Sequence, residues 1–382
     1  MRAPVLRGWY AVHRWSSLIC TINLLILCIT GLLLVFHDEI DAALSQDHRP
    51  VAAVVGNAAK PSLQTLVDSA VQGDAQHTVQ SMFFPPDEPS LVAMHLGERG
   101  SASLRGGKNI IFNMDNGMRQ ALPVNVETVT GFLLKLHVNL FLGLPGQLFI
   151  GLVGLIFVLS IVSGIVIYAP LTRKLVFGIL RFGRQARIVQ ADLHNLFAVT
   201  TMVWALVVGL TGTFLAFSPL IIGLWQKTEL ADIIRTLPAA APHSMVPVDQ
   251  AIAQARQRAP GKDLAYVFYP GTEYATQRHY MVVQRGHSEL EQRLFSIVVV
   301  DAQDGTVADA RGMPWYMQAL LLSGPFHFGD YAGLPLKILW ALLTLLTATV
   351  TVSGFIVWMK RTRAVVVRRN EATLADGWGG QT

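Results

Sequence analysis

The sequence has a marked shortage of charged residues. Asp, Glu, Lys and Arg make up only 14% of its 382 residues, whereas 52% are hydrophobic. A soluble globular protein has about 25% charged residues, so this composition excludes that class. Four runs contain no charged residue, and each is at least as long as the ~20 residues that a membrane-spanning helix needs. These runs cover residues 16–36, 138–171, 193–226 and 338–359.

Cysteine is nearly absent as well. Its two copies, Cys20 and Cys28, both fall in the first apolar run. On one helix their spacing separates them by about two turns, which excludes a disulfide between them. The sequence also lacks the nucleotide-binding patterns GxxxxGKS/T and GxGxxG, and the covalent haem-attachment pattern CxxCH. Any haem in this chain would therefore be non-covalent and b-type.

Basic residues cluster at three places beside the apolar runs. They precede the first run, fill the link between the second and third, and follow the fourth. Because Lys and Arg are enriched in cytoplasmic segments, both termini and the link are predicted to be cytoplasmic. The long polar regions are then periplasmic, in the inner membrane of a Gram-negative bacterium. The formal charge of +5 requires no partner beyond anionic lipid, and we expect no nucleic acid.

Several landmarks recur at two fixed offsets. His327 lies 190 positions after His137, and His194 lies 181 positions after His13. The same offsets relate three further pairs: Pro145 and Pro335, Ser163-Gly164 and Ser353-Gly354, and Thr30-Gly31 and Thr211-Gly212. We therefore predict a membrane protein with four transmembrane α-helices, arranged as two tandem parallel repeats that each carry a periplasmic α+β module.

The predicted boundaries follow from the apolar runs. They are 1–37 for transmembrane helix 1, 38–136 for the first periplasmic module, 137–170 for helix 2, 171–191 for the basic cytoplasmic link, 192–219 for helix 3, 220–326 for the second module, 327–360 for helix 4 and 361–382 for the cytoplasmic tail. In the modules, helices are predicted at 61–67 and 248–258. Strands are predicted at 78–84, 91–96, 109–113, 266–269, 279–283 and 294–301.

Four of the eleven histidines follow the repeat. His13 and His194 fall on the cytoplasmic side, and His137 and His327 on the periplasmic side. Two imidazoles that face each other in an apolar bundle can ligate one haem iron, so we predict two b-type haems. Gly31, Gly164, Gly212 and Gly354 are candidates for leaving room beside them, and Arg14 and Lys135 are candidates for the haem propionates. A single interfacial histidine is more often a polar anchor, and a zinc site would more often include mixed ligands.

His37 breaks this symmetry. Its counterpart 181 positions later is Ser218, so His37 has no partner in the repeat. It could replace one member of the periplasmic pair or serve an additional site, and we retain it as a candidate haem ligand. His48, His77, His95, His243, His279 and His287 lack a comparable context and are predicted to be surface residues.

These motifs resemble the PepSY-associated transmembrane family. The resemblance covers nearly the whole chain and is carried by Leu136-His137, the paired Thr-Gly and Ser-Gly positions, and the turns 113–117 and 301–305 that close the PepSY-like modules. Within that family the sequence looks most like the ferric-siderophore reductases of the FoxB and PiuB kind. The resemblance implies haem-bearing helices, electron flow from cytoplasm to periplasm, and a ferric siderophore as substrate. Since no flavin domain follows the fourth run, we expect a separate cytoplasmic donor, a flavin or NAD(P)H reductase.

We therefore predict a transmembrane ferric-siderophore reductase. Two alternatives remain open at this point: a siderophore transporter or permease component, and a haem-free PepSY signalling or regulatory membrane protein. A transporter would more often place a charged residue or a broken helix at mid-span, and this sequence shows neither. An absorbance spectrum would separate the reductase from the haem-free alternative.

Overall fold

The computed structural model describes residues 3–44, 60–120, 128–169, 178–288 and 291–378, with side chains described as far as residue 363. The chain forms two compact units. A helical unit comprises Met1–Ala43, Glu127–Phe217 and Ser323–Thr382, and a sheet unit comprises Leu44–Val126 and Ser218–Leu322.

The described α-helices, in chain order, are α1 (Ala3–Leu34), α2 (His37–Leu44), α3 (Leu63–Ala70), α4 (Val129–Asn139), α5 (Gly143–Tyr168), α6 (Ala186–Ala216), α7 (Ser218–Trp225), α8 (Ala231–Thr236), α9 (Val248–Arg258), α10 (Trp315–Phe328) and α11 (Gly333–Trp378). A π-helical turn, Gln226–Leu230, joins α7 to α8. A short 3-10 helix covers Glu291–Arg293.

The helical unit is built on the four long helices α1, α5, α6 and α11. Each contains a segment long and apolar enough to cross a membrane: Pro4–Leu34, Gly143–Tyr168, Ala186–Ala216 and Gly333–Arg363. α1 packs against α5 and α11, and α6 packs against the same two helices, which gives a four-helix bundle. Apolar side chains cover its outer surface, with Ile22 and Val203 exposed by 72% and 70%. Such a surface suits hydrocarbon, and the chain is a membrane protein.

The two longest apolar runs are each divided. The run 138–171 breaks after α4, where Leu140 and Phe141 have positive φ values of 53° and 61°. The run 193–226 breaks where α6 ends at Ala216 and α7 begins at Ser218. These breaks account for the extra length of both runs.

The described residues of the sheet unit form eight antiparallel strands: β1 (His77–Phe83), β2 (Leu91–Glu98), β3 (Lys108–Asn113), β4 (Arg119–Gln120), β5 (Asp263–Phe268), β6 (His279–Arg285), β7 (Ser296–Asp301) and β8 (Val307–Gly312). Their order in the sheet is β4-β3-β2-β1-β5-β6-β7-β8. All six predicted strands are therefore present, whereas β4 and β8 were not predicted.

The two predicted modules do not form separate sheets. β1 pairs with β5, with Phe83 opposite Tyr266 and Ser81 opposite Phe268, so one sheet runs through both. An unpaired edge strand leaves backbone N–H and C=O groups without partners. The pairing of β1 with β5 removes that cost for both modules. This correction concerns the arrangement of the modules, since each region does contain the predicted helix and strands.

Helices α3 and α9 cover one face of the sheet and bind each other through their first turns. The carboxylate of Asp249 on α9 accepts hydrogen bonds from the backbone N–H groups of Leu63 and Gln64 at 2.9 and 2.8 Å. In return, the side-chain oxygen of Gln64 accepts from the backbone N–H of Val248 at 3.2 Å. Free N–H groups at both helix starts are thus satisfied reciprocally.

His279 is not a surface residue, contrary to the prediction. Its side chain is 1% exposed, and its Nδ1 lies 2.7 Å from Oγ1 of Thr276. Asp301 on β7 lies beside it, with 3.8 Å between His279 Nε2 and the Asp301 carboxylate. The burial comes from pairing between β6 and β7, which the local sequence around His279 does not reveal. His48 lies outside the described residues.

Candidate cofactor-binding site

Two pairs of facing histidines lie in the helical unit. His13 on α1 and His194 on α6 form an inner pair, with ring centroids 6.3 Å apart and ring planes at 69°. His137 on α4 and His327 on α10 form an outer pair, with ring centroids 6.2 Å apart and planes at 62°. The two pairs therefore have nearly the same geometry, although different helices supply them.

In the inner pair, hydrogen bonding determines which ring nitrogen carries the proton. His13 Nδ1 lies 2.9 Å from the backbone oxygen of Ser160, and His194 Nδ1 lies 2.9 Å from that of Val350. A carbonyl oxygen can only accept a hydrogen bond, so each Nδ1 carries a hydrogen and donates it. The Nε2 lone pair is then available in both rings, as a metal ligand requires.

In the outer pair, each Nδ1 also donates a hydrogen bond, but the two acceptors differ in kind. His327 Nδ1 donates to the backbone oxygen of Val208 at 3.0 Å. His137 Nδ1 lies 2.8 Å from the hydroxyl oxygen of Thr30. That hydroxyl already donates its hydrogen to the backbone oxygen of Ile26 at 2.7 Å, so it accepts from His137. Within the described chain, no hydrogen bond reaches Nε2 of any of these four histidines.

Each paired histidine contacts one of the four glycines singled out in the sequence. A Cβ added to Gly31 would lie 3.2 Å from Cε1 of His137, and one on Gly164 would lie 3.1 Å from Cε1 of His13. The contacts are closer at Gly354 with His194, 2.9 Å, and at Gly212 with His327, 2.6 Å. Contacts below 3.0 Å require a neighbour to move, so the rings occupy space that a larger residue would fill.

Three of these glycines also explain how a histidine reaches a helix backbone. Gly164 lies four residues after Ser160, Gly354 four after Val350, and Gly212 four after Val208. Residues four apart lie above one another on a helix surface. A side chain at the glycine position would cover the carbonyl oxygen that the histidine binds, and glycine leaves that oxygen accessible.

A cavity of ≈ 490 Å³ surrounds the inner pair. Its walls come from α1, α5, α6 and α11 and are mainly apolar, with Phe157, Ile161, Val199 and Phe355 among them. Both His13 and His194 line it. The space beside the two Nε2 atoms can therefore take a largely apolar ligand.

Among the described residues, each pair offers two nitrogen ligands. Across the described residues, no group of three or more His, Cys, Asp and Glu side chains is placed to hold a metal ion. A bare zinc ion takes three or four protein ligands. A metal bound by only two imidazoles needs its remaining ligands from another molecule, and the macrocycle of a haem supplies four.

Most of this chain matches the model of a known protein family. Its description is PepSY-associated TM region, and the family model matches residues 10–361, which include all four paired histidines and their glycines. The chain belongs to this family. The family resemblance predicted from the sequence is therefore confirmed. No curated protein matches the chain at a significant level.

In this member of the PepSY-associated TM region family, His37 belongs to neither pair. Its Nδ1 lies 3.0 Å from the backbone oxygen of Leu34, and its Nε2 lies 3.1 Å from the carboxylate of Asp38. Its side chain is 48% exposed. Its partners are thus Leu34 at the end of α1 and Asp38 at the start of α2, and a role of His37 as a haem ligand stays a prediction.

The sequence alone did not identify the groups that accept hydrogen bonds from the four paired histidines. Ser160, Val208 and Val350 act through backbone oxygens, which any residue type provides, so only the glycine four positions later marks them. Thr30 was noticed only as a repeat landmark beside Gly31. The two predicted propionate partners are both exposed, and of the two only Arg14 is among the described residues that line the inner cavity.

Proposed function

We propose that this protein is a haem-containing oxidoreductase of the bacterial inner membrane, which passes electrons from the cytoplasm to reduce a ferric siderophore in the periplasm. One observation carries the proposal: two facing histidine pairs, 6.3 and 6.2 Å between ring centroids, with every Nε2 available. Both termini and the basic link would be cytoplasmic, and the sheet unit periplasmic.

The ring separations support ligation of one metal ion by each pair. Two imidazoles on opposite sides of a metal, each bound at about 2 Å through Nε2, place their ring centroids about 6 Å apart. Both pairs have this separation. His13 and His194 would hold an inner b-type haem, and His137 and His327 an outer one. When bound, each haem supplies reversible one-electron chemistry between ferric and ferrous iron.

The placement of the pairs suits transfer across a membrane. On α1, His13 belongs to the inner pair, and Gly31 contacts the outer pair. Eighteen residues of helix span about 27 Å, close to the ~30 Å thickness of the hydrocarbon core. On α6, His194 and Gly212 repeat this spacing. Each of these two helices thus supports both pairs, one near each membrane surface.

The chemistry at the substrate is a one-electron reduction. A cytoplasmic flavin or NAD(P)H reductase would be oxidised, and each Fe(III) chelate would gain one electron to become Fe(II). The lower charge weakens binding by hard oxygen ligands, so the siderophore releases its iron. No side chain needs to act as an acid or base in this step. The histidines position the electron carriers, and the apolar walls exclude water.

Absorbance spectroscopy tests the proposal directly. Purified protein reduced with dithionite should show the α-band of bis-histidine haem b, with two haems per chain. His13→Ala and His194→Ala should each remove the inner haem, and His137→Ala and His327→Ala the outer one. His287→Ala, an exposed histidine of the sheet unit, is the matched control and should retain both. A folded protein without haem would refute the proposal.

A second assay tests the direction of electron flow. In proteoliposomes with dithionite-reduced dye trapped on the face of the inner pair, a ferric siderophore added at the opposite face should be reduced. A ferrous-iron indicator would report the product. Vesicles that contain His137→Ala should lose this activity. Movement of intact siderophore across the vesicle membrane, with no ferrous iron formed, would instead indicate a transporter.

A further inference from the structure

The inner cavity has an uneven distribution of charge. Among the described residues that line it, Arg14 alone has a charged side chain. The Arg14 guanidinium lies 5.0 Å from the ring centroid of Trp15, which holds the cation over an aromatic face. No Asp or Glu is found among these described lining residues. This mainly apolar space therefore has one positive charge and, among the described residues, no carboxylate to neutralise it.

A second cation lies at the same edge. Arg361 on α11 donates a hydrogen bond from Nη1 to the hydroxyl oxygen of Tyr10, and its guanidinium lies 4.9 Å from the centroid of the Tyr10 ring. Tyr10 itself lines the cavity, whereas Arg361 lies outside the lining and adjoins it through Tyr10. Since α1 and α11 pack against each other, Arg14 and Arg361 belong to one side of the bundle.

On the opposite side, formed by α5 and α6, none of the described lining residues is charged. Tyr168, Ala191 and Asn195 line the cavity there, and all three are uncharged. Asn195 lies 181 positions after Arg14, and Ala191 lies 181 positions after Tyr10, so the repeat does not reproduce either residue. Asp192 on α6 is engaged elsewhere, because Arg181 binds both of its carboxylate oxygens. The asymmetry is thus a property of side chains and not of the bundle geometry.

We propose that Arg14 and Arg361 bind the two carboxylates of the inner tetrapyrrole, which therefore lies in the cavity with its carboxylate edge toward α1 and α11. This rests on the proposed function, since it assumes haem at His13 and His194. A neutral apolar ligand, such as a quinone, would not need these cations. Hydrogen bonds between guanidinium and carboxylate are strong and directional. Trp15 lies under the guanidinium of Arg14 and Tyr10 under that of Arg361, so both donors are oriented in advance.

Haem release from the purified holoprotein tests this assignment. Excess apomyoglobin takes up released haem, and the absorbance change gives a rate for each site. Arg14→Gln and Arg361→Gln should each accelerate release of the inner haem about tenfold, since each removes a hydrogen bond between charged groups. Release of the outer haem should not change. Arg14→Lys retains the charge and should give an intermediate rate, and Arg187→Gln, an exposed arginine on α6 on the side opposite Arg14 and Arg361, should behave as wild type.

A change in the ligand separates carboxylate binding from a general loosening of the fold. Protein loaded with haem dimethyl ester has no carboxylates, so wild type and Arg14→Gln should then release it at equal rates. Removal of a nearby cation should also lower the midpoint potential of the inner haem, which redox titration measures.

The outcomes also separate this inference from the proposed function. Unchanged haem release in both glutamine variants, or equal acceleration of haem and its ester, would overturn the assignment of the arginines while leaving two haems in place. A protein without haem would overturn both.

Discussion

The inner and outer histidine pairs have nearly equal ring separations, but the protein supports them in different ways. His13 and His194 lie within the long helices α1 and α6, and both donate to backbone oxygens of the facing helices α5 and α11. His137 and His327 lie on the short helices α4 and α10, which precede those same facing helices. The inner pair depends on long helices and on backbone oxygens that accept its hydrogen bonds. The outer pair also depends on the turns after α4 and α10 and on the side chain of Thr30.

The turns beside the outer pair differ between the two halves of the chain. After α4, Leu140 and Phe141 have positive φ, a conformation that is unfavourable for bulky residues. After α10, Gly329 and Gly333 take positive φ values of 70° and 65°, which glycine adopts readily. The outer site thus has its backbone strain on the side of His137. Comparable substitutions beside the histidines should therefore disturb the geometry of the outer pair more than that of the inner pair.

The largest effect should come from filling the space beside one histidine. Gly212→Leu places a side chain where His327 now lies, since even a Cβ would be 2.6 Å from the ring. His327 would be displaced, and the protein should lose the outer haem and retain about one haem per chain. Gly354→Leu should have the reciprocal effect at His194. Haem-to-protein ratios and reduced spectra measure both.

Gly223→Leu is the matched control for these substitutions. Gly223 is also helical, but an added Cβ there would meet nothing within 4 Å. It should retain both haems. If Gly212→Leu also retained two haems with unchanged spectra, the close contact between Gly212 and His327 would not be part of a haem site.

A smaller effect should distinguish the two ways of holding Nδ1. Thr30→Val removes the hydroxyl that accepts from His137, and no backbone oxygen replaces it among the contacts described. Loss of such a partner weakens metal binding about 10- to 100-fold, so haem affinity at the outer site should fall by at least about tenfold. Competitive haem transfer to apomyoglobin measures this. The inner site should be unaffected, because both of its acceptors are backbone oxygens.

The repeat supplies the control for this prediction. Thr211 is the counterpart of Thr30, but its hydroxyl lies 3.5 Å from His327 Nδ1, which donates instead to Val208 at 3.0 Å. Thr211→Val should therefore change haem affinity by less than about twofold. Thr30→Ser retains the hydroxyl and should restore binding. Equal losses in Thr30→Val and Thr211→Val would show that the threonines contribute through packing alone.

The sequence predicted these pairs because a membrane helix leaves few options for a polar side chain. The four apolar runs are evident from the missing charges, and the offsets of 181 and 190 place one histidine of each half at corresponding positions. Facing imidazoles follow if the two halves pack about a common axis. Whether they bind haem stays a prediction. The acceptors on α5, α6 and α11 could not be predicted, because helix rotation decides which backbone oxygen meets a histidine.

The sheet shows a different limit. Alternating apolar residues predicted its strands, since each strand has one face in the core. The pairing of β1 with β5 could not be predicted, because it joins strands that lie far apart in the sequence and have equally suitable edges. The burial of His279 depends on the neighbouring strand in the same way. Local patterns thus predict the elements, and contacts between distant segments decide which polar residues become buried.

The smallest expected effect concerns an ion pair between α11 and α2 at the outer end of the bundle. Lys337 on α11 is 9% exposed and donates to both carboxylate oxygens of Glu39 on α2, at 2.9 and 3.0 Å. The hydrogen bond from Lys337 holds the pKa of Glu39 below its usual value. A carboxyl group whose pKa is lower in the folded state stabilises the fold above its unfolded pKa, about 4.3, and loses that contribution as pH falls through the folded pKa.

Glu39→Gln should therefore lower the melting temperature slightly at pH 7 and have less effect at pH 3. Scanning calorimetry in detergent at both values measures the difference. Asp38→Asn is the matched control, since its carboxylate is more exposed and lies farther from Lys337, at 3.3 Å, so its effect should be smaller at either pH. Because α2 lies only at the outer end, Glu39→Gln should accelerate haem release from the outer pair and leave the inner pair unchanged. Equal acceleration of haem release at both sites would show that the two histidine pairs are not stabilised by separate sets of contacts.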